Sequence, residues 1–121
     1  MVFRKILTTL ALIALLPTAP AQAESFLFAV RSDYPYIVHI AFYSDDRNWV
    51  WPNGDEVYVL DDSRVHDFSL TCQYGEKICY GAWPKGSHKT YWGVGPDRSQ
   101  RCSDCCYYCQ GGESGVIVLY E

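Results

Sequence analysis

Six cysteines in the second half of the chain limit its fold more than any other feature. An even number of cysteines in a short exported chain predicts a disulfide framework, for which six cysteines allow fifteen different pairings. Such frameworks stabilise small domains that bury too little apolar surface to fold firmly without covalent links. We therefore expect disulfides among Cys72, Cys79, Cys102, Cys105, Cys106 and Cys109.

The spacing of the cysteines favours some pairings over others. Cys72 and Cys79 flank a turn-like stretch at residues 73–77, so they could face each other across a hairpin. A bond between the adjacent Cys105 and Cys106 would be strained. An alternative stays open, in which at least one of the last four cysteines forms a disulfide with Cys72 or Cys79.

The last four cysteines form two abutting Cys-x-x-Cys units, which raises the alternatives of a zinc site and a redox pair. Zinc sites usually separate their two units by a loop, so that four sulfurs can close a tetrahedron. A thioredoxin-type pair stands at the start of a helix, and the Gln110-Gly111-Gly112 stretch that follows the cluster disfavours one. We therefore favour disulfides and expect neither a metal nor a cofactor.

The N-terminal residues have the pattern of a secretory signal peptide. A short basic region precedes an apolar run over residues 6–16, and small residues ending at Ala23 suit a signal peptidase. The apolar run is much shorter than the roughly 20 residues that cross a bilayer. We therefore predict that residues 1–23 are cleaved, and that residues 24–121 form one disulfide-stabilised β domain. The product would be secreted or periplasmic, without stable membrane insertion.

The charge balance is acidic, with ten Lys and Arg residues against fourteen Asp and Glu and a formal net charge of −4. Loss of the signal peptide would remove two basic residues and make the chain more acidic still. Binding of phosphate backbones requires a basic face. We therefore do not expect nucleic acid to be a partner.

Apolar residues alternate with a period of two, which predicts strands rather than helices. Short runs with turn-forming residues between them, at roughly ten-residue spacing, favour an all-β fold. We predict a small antiparallel β-sandwich or barrel of about seven to nine short strands, with a disulfide-held C-terminal loop at residues 95–114. The clearest shared faces are those of Phe26, Phe28 and Val30, and of Tyr36, Val38, Ile40 and Phe42.

Aromatic residues are abundant, with four Trp, ten Tyr and five Phe. Trp49 and Trp51 are expected on one face of a strand, and Tyr91 and Trp92 form a second pair. Buried rings fill a core, whereas exposed rings stack on sugars or anchor protein partners. We take these four residues as candidate ligand-binding residues, and a non-catalytic module that binds a glycan or an extracytoplasmic protein is the leading hypothesis.

Two other functions stay open as alternatives. A small secreted hydrolase would use His66 with Asp61 or Asp62, and would need a pocket that also holds a nucleophilic Ser or Cys. No catalytic motif of known spacing accompanies these residues. A secreted effector or inhibitor would instead display a rigid loop at residues 95–101.

Overall fold

The structure is a computed structural model, and it describes residues 23–121 together with residues 11 and 13. Apart from residues 11, 13 and 23, the predicted signal peptide lies outside the described residues. In the described part, nine strands and one 3-10 turn form the regular structure. No helix in that part is long and apolar enough to cross a membrane.

One sheet has three strands, in the order β5-β1-β9. These strands are β1 (Ala23–Ser32), β5 (His66–Gln73) and β9 (Glu113–Leu119). β1 runs antiparallel to β5 and parallel to β9. The prediction of a purely antiparallel fold is therefore wrong for one strand pair, since β9 lies parallel to β1.

The other sheet has six strands, with the central order β3-β2-β6-β7. β4 also pairs with β2, and β8 with β6. The two sheets pack as a sandwich and do not close into a barrel. The six strands are β2 (Val38–Ser44), β3 (Val50–Trp51), β4 (Tyr58–Leu60), β6 (Lys77–Pro84), β7 (Trp92–Gly93) and β8 (Cys106–Tyr108).

The main core lies between the two sheets. The rings of Phe28 from β1 and Phe42 from β2 meet there with their centroids 4.5 Å apart. Burial of each large apolar side chain contributes about 1.5–3 kcal/mol to folding. The expected position of Tyr36 is wrong, because it lies before β2 and is exposed. The other predicted inward-facing residues are buried: Phe26, Phe28, Val30, Val38, Ile40 and Phe42.

A second apolar cluster covers the outer face of the six-stranded sheet. Tyr43 of β2 and Trp83 of β6 are buried there with Val94 and Cys105. The chain between Val94 and Cys105 therefore acts as a cover over this face, as a disulfide-held C-terminal loop would. It is followed by β8, a strand that the sequence pattern does not predict.

Three disulfides join the six cysteines, and the predicted Cys72–Cys79 pair is wrong. Residues 73–77 do not close a hairpin, because β5 and β6 belong to different sheets. Both cysteines pair instead with the last four, as the open alternative allowed. The bonds are Cys72–Cys109, Cys79–Cys106 and Cys102–Cys105, with Cα–Cα distances of 6.3, 4.0 and 5.8 Å.

Candidate ligand-binding groove

Trp51 connects the two sheets through its buried indole. It belongs to the edge strand β3, where it pairs with Phe42 of β2, and it is only 7% exposed. Its indole Nε1 donates a hydrogen bond of 3.0 Å to the carbonyl oxygen of Thr71 in β5. Because β3 and β5 belong to different sheets, this bond joins the sheets at one end of the sandwich.

Trp49 stands beside Trp51 with half of its surface open to solvent. It is 50% exposed, and the guanidinium carbon of Arg47 lies 4.8 Å from its ring centroid. The same carbon lies 5.8 Å from the ring centroid of Trp51. A cation over an indole face is attractive by about 0.5–2 kcal/mol. Arg47 therefore links the exposed indole to the buried one.

Glu76 fixes Arg47 in this position. It is only 3% exposed and forms an ion pair with the Arg47 guanidinium. Its carboxylate also accepts hydrogen bonds from the Ser44 hydroxyl at 2.6 Å and from the backbone N–H of Gln73 at 3.0 Å. Burial raises the pKa of Glu76, but the bonds from Arg47, Ser44 and Gln73 outweigh it and hold that pKa below its ordinary value. Glu76 is therefore a carboxylate at neutral pH.

A groove of about 560 Å³ opens beside these residues, and we call it the Trp groove. Its size lies within the range of about 300–1,000 Å³ that is common for small-ligand sites. Hydroxyl and amide side chains of β5 line it together with the two indoles. Its lining residues are Ala23, Arg47, Trp49, Trp51, Pro52, Ser69, Thr71, Cys72 and Gln73. Ala23 is the last residue of the predicted signal peptide.

Tyr91 and Trp92 do not join the Trp groove. β7, which carries Trp92, is separated from β3 by the strands β2 and β6. The indole Nε1 of Trp92 donates to the carbonyl oxygen of Tyr120 at 2.8 Å, and its ring packs edge-on against Tyr34. Tyr91 is 42% exposed. The structure thus divides the four candidate residues into two separate pairs, with Trp92 tied to the C-terminal end of the chain.

The candidate hydrolase residues are only partly assembled. His66 Nε2 lies 2.6 Å from Asp62 Oδ1, and the hydrogen bonds from His66 and from the Arg64 amide lower the pKa of Asp62. Asp61 makes no such contact with His66. Within residues 23–121, no Ser or Cys hydrogen-bonds to His66. A cavity of about 330 Å³ includes Asp61 and Asp62, but His66 does not line it.

The loop at residues 95–101 is held against the body of the protein. The Asp97 amide donates to the Tyr43 hydroxyl at 3.1 Å, and the Arg98 guanidinium donates to the Ser44 carbonyl at 2.7 Å and pairs with Asp45. Asp97 and Arg98 have φ angles of 52° and 56°, in the left-handed region that glycine adopts freely, aspartate tolerates and arginine seldom adopts. These contacts hold the loop close to the six-stranded sheet, and its display to a partner stays a prediction.

Arg47 and Glu76 are the residues that sequence reasoning missed. They are 29 positions apart, in two different turns, and no local pattern connects them. Only the fold brings the turn before β3 and the turn before β6 to the same end of the sandwich. Across residues 23–121, no group of three or more His, Cys, Asp and Glu side chains is arranged to hold a metal ion.

No protein-family model, curated protein or solved structure matches the chain.

Proposed function

We propose that this protein is a non-catalytic glycan-binding module that acts outside the cytoplasm, and that the Trp groove is its binding site. The observation that carries the proposal is the half-exposed indole of Trp49, held by Arg47 beside a groove with hydroxyl and amide groups. The proposal keeps Trp49 and Trp51 as site residues and leaves out Tyr91 and Trp92.

The chemistry of the groove suits a sugar ring. The apolar C–H face of a pyranose stacks on an indole, while its hydroxyl groups need donors and acceptors nearby. Arg47 covers one face of the Trp49 ring, and a sugar would stack on the ring surface that Arg47 leaves exposed. Ser69, Thr71 and Gln73 are exposed on β5 along the same groove. Because these three residues alternate along one strand, their side chains point to the same face of the sheet. The groove thus combines the two kinds of contact that a glycan requires.

The groove favours a neutral glycan over a charged one. Arg47 is its main cation, and the buried carboxylate of Glu76 compensates that charge at contact distance. A sulfated or uronic-acid glycan would have to compete with Glu76 for the guanidinium. Three disulfides and the signal-like N-terminal sequence support a function in an oxidising compartment, where extracellular and envelope glycans occur.

The direct test is a glycan array followed by titration calorimetry with the neutral oligosaccharides that bind. We expect Trp49→Ala to weaken binding at least about tenfold, since loss of one anchoring aromatic ring commonly costs more than 1 kcal/mol. Tyr91→Ala is the matched control, because it also truncates an exposed ring but lies away from the groove. Its affinity should equal that of the unmodified protein.

Three outcomes would contradict the proposal. Binding of no glycan would remove it, and equal loss of affinity in Trp49→Ala and Tyr91→Ala would remove the groove as the site. Capture of an envelope or extracellular protein that Trp49→Ala abolishes, without any glycan binding, would favour the protein-binding alternative.

A further inference from the structure

The three disulfides differ in how much they constrain the chain. Cys72–Cys109 and Cys79–Cys106 join residues 37 and 27 positions apart, whereas Cys102–Cys105 joins residues 3 apart. A disulfide stabilises a fold mainly by restricting the unfolded chain, and the effect grows with the length of the closed loop. Cys102–Cys105 therefore contributes least to stability, and stability alone does not account for it.

The two cysteines of this bond are unequally exposed. Cys102 is partly exposed, whereas Cys105 is fully buried in the apolar cluster on the outer face of the six-stranded sheet. A thiolate attacks a disulfide at a sulfur that it can reach. Any attack from solvent therefore takes place at Cys102, and Cys105 is the leaving group.

A small cationic cleft leads to Cys102. The cleft has a volume of about 230 Å³, and its lining includes Cys102 with Lys77, Arg98, Arg101 and Asp45. The Cys79–Cys106 disulfide lines the same cleft, so the short loop of Cys102–Cys105 is what distinguishes the two bonds. Asp45 forms ion pairs with Lys77 and Arg98. Arg101 does not pair with Asp45. An anion that enters the cleft therefore meets a net positive charge.

Besides Asp45, a second carboxylate acts against this positive field. Asp104 lies 3.5 Å from the sulfur of Cys102, but it does not line the cleft. Asp104 lowers the positive charge next to the sulfur, whereas Lys77, Arg98 and Arg101 line the approach to it. The cleft is therefore the favourable route to the sulfur.

We propose that Cys102–Cys105 is a labile disulfide that exchanges with small anionic thiols at Cys102. A glutathione thiolate attacks Cys102 Sγ and forms a mixed disulfide, while the bond to Cys105 breaks and Cys105 takes a proton from water. A second glutathione thiolate then attacks the glutathione sulfur, which releases oxidised glutathione and the Cys102 thiolate. Two thiols are oxidised and one protein disulfide is reduced. This reactivity is independent of the Trp groove.

The test follows the folded, oxidised protein during incubation with reduced glutathione. Samples are alkylated at intervals, and labelled cysteines are identified by peptide mass spectrometry. We expect Cys102 and Cys105 to be labelled at least about tenfold faster than the other four cysteines, because the latter close long loops or lie in the core. Labelling of another pair first, or of all six cysteines together, would overturn the proposal.

The role of charge is tested with cysteamine, a small thiol that carries a positive charge. The exchange rate of each thiol at Cys102 is divided by its rate with an unstructured model disulfide, which corrects for the different reactivity of the two thiols. The corrected rate should be higher for glutathione than for cysteamine. Arg101→Gln should reduce the glutathione rate about two- to threefold at low ionic strength. Arg64→Gln, which removes an exposed cation outside the cleft, should leave it unchanged. Equal corrected rates for the two thiols would overturn the preference for anions.

Discussion

At the scale of single residues, Glu76 is a buried carboxylate that holds Arg47 beside the Trp groove. Its buried carboxylate accepts bonds from Arg47, Ser44 and the Gln73 amide. We expect Glu76→Gln to lower the free energy of unfolding at neutral pH by about 2 kcal/mol, because bonds to a charged group become bonds to a neutral one. Urea unfolding followed by tryptophan fluorescence measures this loss.

The same residue predicts a pH dependence of stability. The pKa of Glu76 in the folded protein lies below its ordinary value of 4.5, so its ionised form stabilises the fold above that pH. This contribution is lost as the pH falls through the folded-state pKa. Urea unfolding between about pH 3 and pH 7 should therefore show a smaller loss in Glu76→Gln than in the unmodified protein. The exposed Glu113→Gln is the control, and identical profiles for all three proteins would contradict the prediction.

Asp97 allows a test of backbone strain at the same scale. Its φ of 52° lies in the left-handed region, where a β-branched side chain is especially unfavourable. We expect Asp97→Val to lower the free energy of unfolding by about 1–2 kcal/mol. Ser99→Val is the control, because Ser99 has a φ of −72° that any residue adopts. Equal thermal midpoints for the two variants would show that the left-handed backbone is not maintained.

At the scale of strands and loops, Gly81 sets how closely the cover packs on β6. A methyl group built on Gly81 would overlap the carbonyl oxygen of Gly95 and would lie 3.1 Å from the Tyr43 ring. We expect Gly81→Ala to cost about 2–3 kcal/mol of stability, because the loop must move away from the sheet. Near-ultraviolet circular dichroism and urea midpoints report that movement.

Gly54 provides the matched control for this substitution. No atom lies within 4 Å of a methyl group built on Gly54, and its φ is not in the left-handed region. Gly54→Ala should therefore change the free energy of unfolding by less than about 0.5 kcal/mol. Similar losses in both variants would show that the close approach of Gly95 to β6 does not limit packing.

The sequence predicts the strands better than it predicts their partners. The alternation in β1 and β2 identifies residues such as Phe28 and Phe42 as core, because the period of two is a local property. The turn at residues 73–77 indicates where the chain reverses, but not that the next strand joins the other sheet. β8 is missed because it is only three residues long and has no local apolar alternation; it pairs with β6 where the Cys79–Cys106 bond joins the two strands.

The candidate site shows the same contrast between local patterns, which the sequence predicts, and non-local contacts, which it does not. The sequence predicts that Trp49 and Trp51 share one face, and both line the Trp groove. It does not predict that Trp51 is buried against β5, since that contact joins strands from two sheets. The pairing of Arg47 with Glu76 is equally non-local. The sequence thus predicts which aromatic residues are candidates, but only the strand topology determines which of them lie together in one groove.

At the scale of the whole molecule, Cys72–Cys109 is the covalent link between the sheets. Cys72 lies in β5 of the three-stranded sheet, and Cys109 directly follows β8 of the six-stranded sheet. Both are buried in the main core. Cys72 also follows Thr71, the acceptor for the Trp51 indole. The bond therefore stabilises the sandwich next to the Trp groove.

Removal of this link should be more costly than removal of the short Cys102–Cys105 bond. The loop-closure relation gives about 4 kcal/mol for a loop of the Cys72–Cys109 length and about 2 kcal/mol for the Cys102–Cys105 loop. We expect Cys72→Ala/Cys109→Ala to lose more unfolding free energy in urea than Cys102→Ala/Cys105→Ala. The first variant should also shift the tryptophan emission to longer wavelength, because loosened sheets expose Trp51. An unshifted spectrum with equal losses in both variants would mean that packing alone, and not the disulfide, holds the two sheets at the Trp groove.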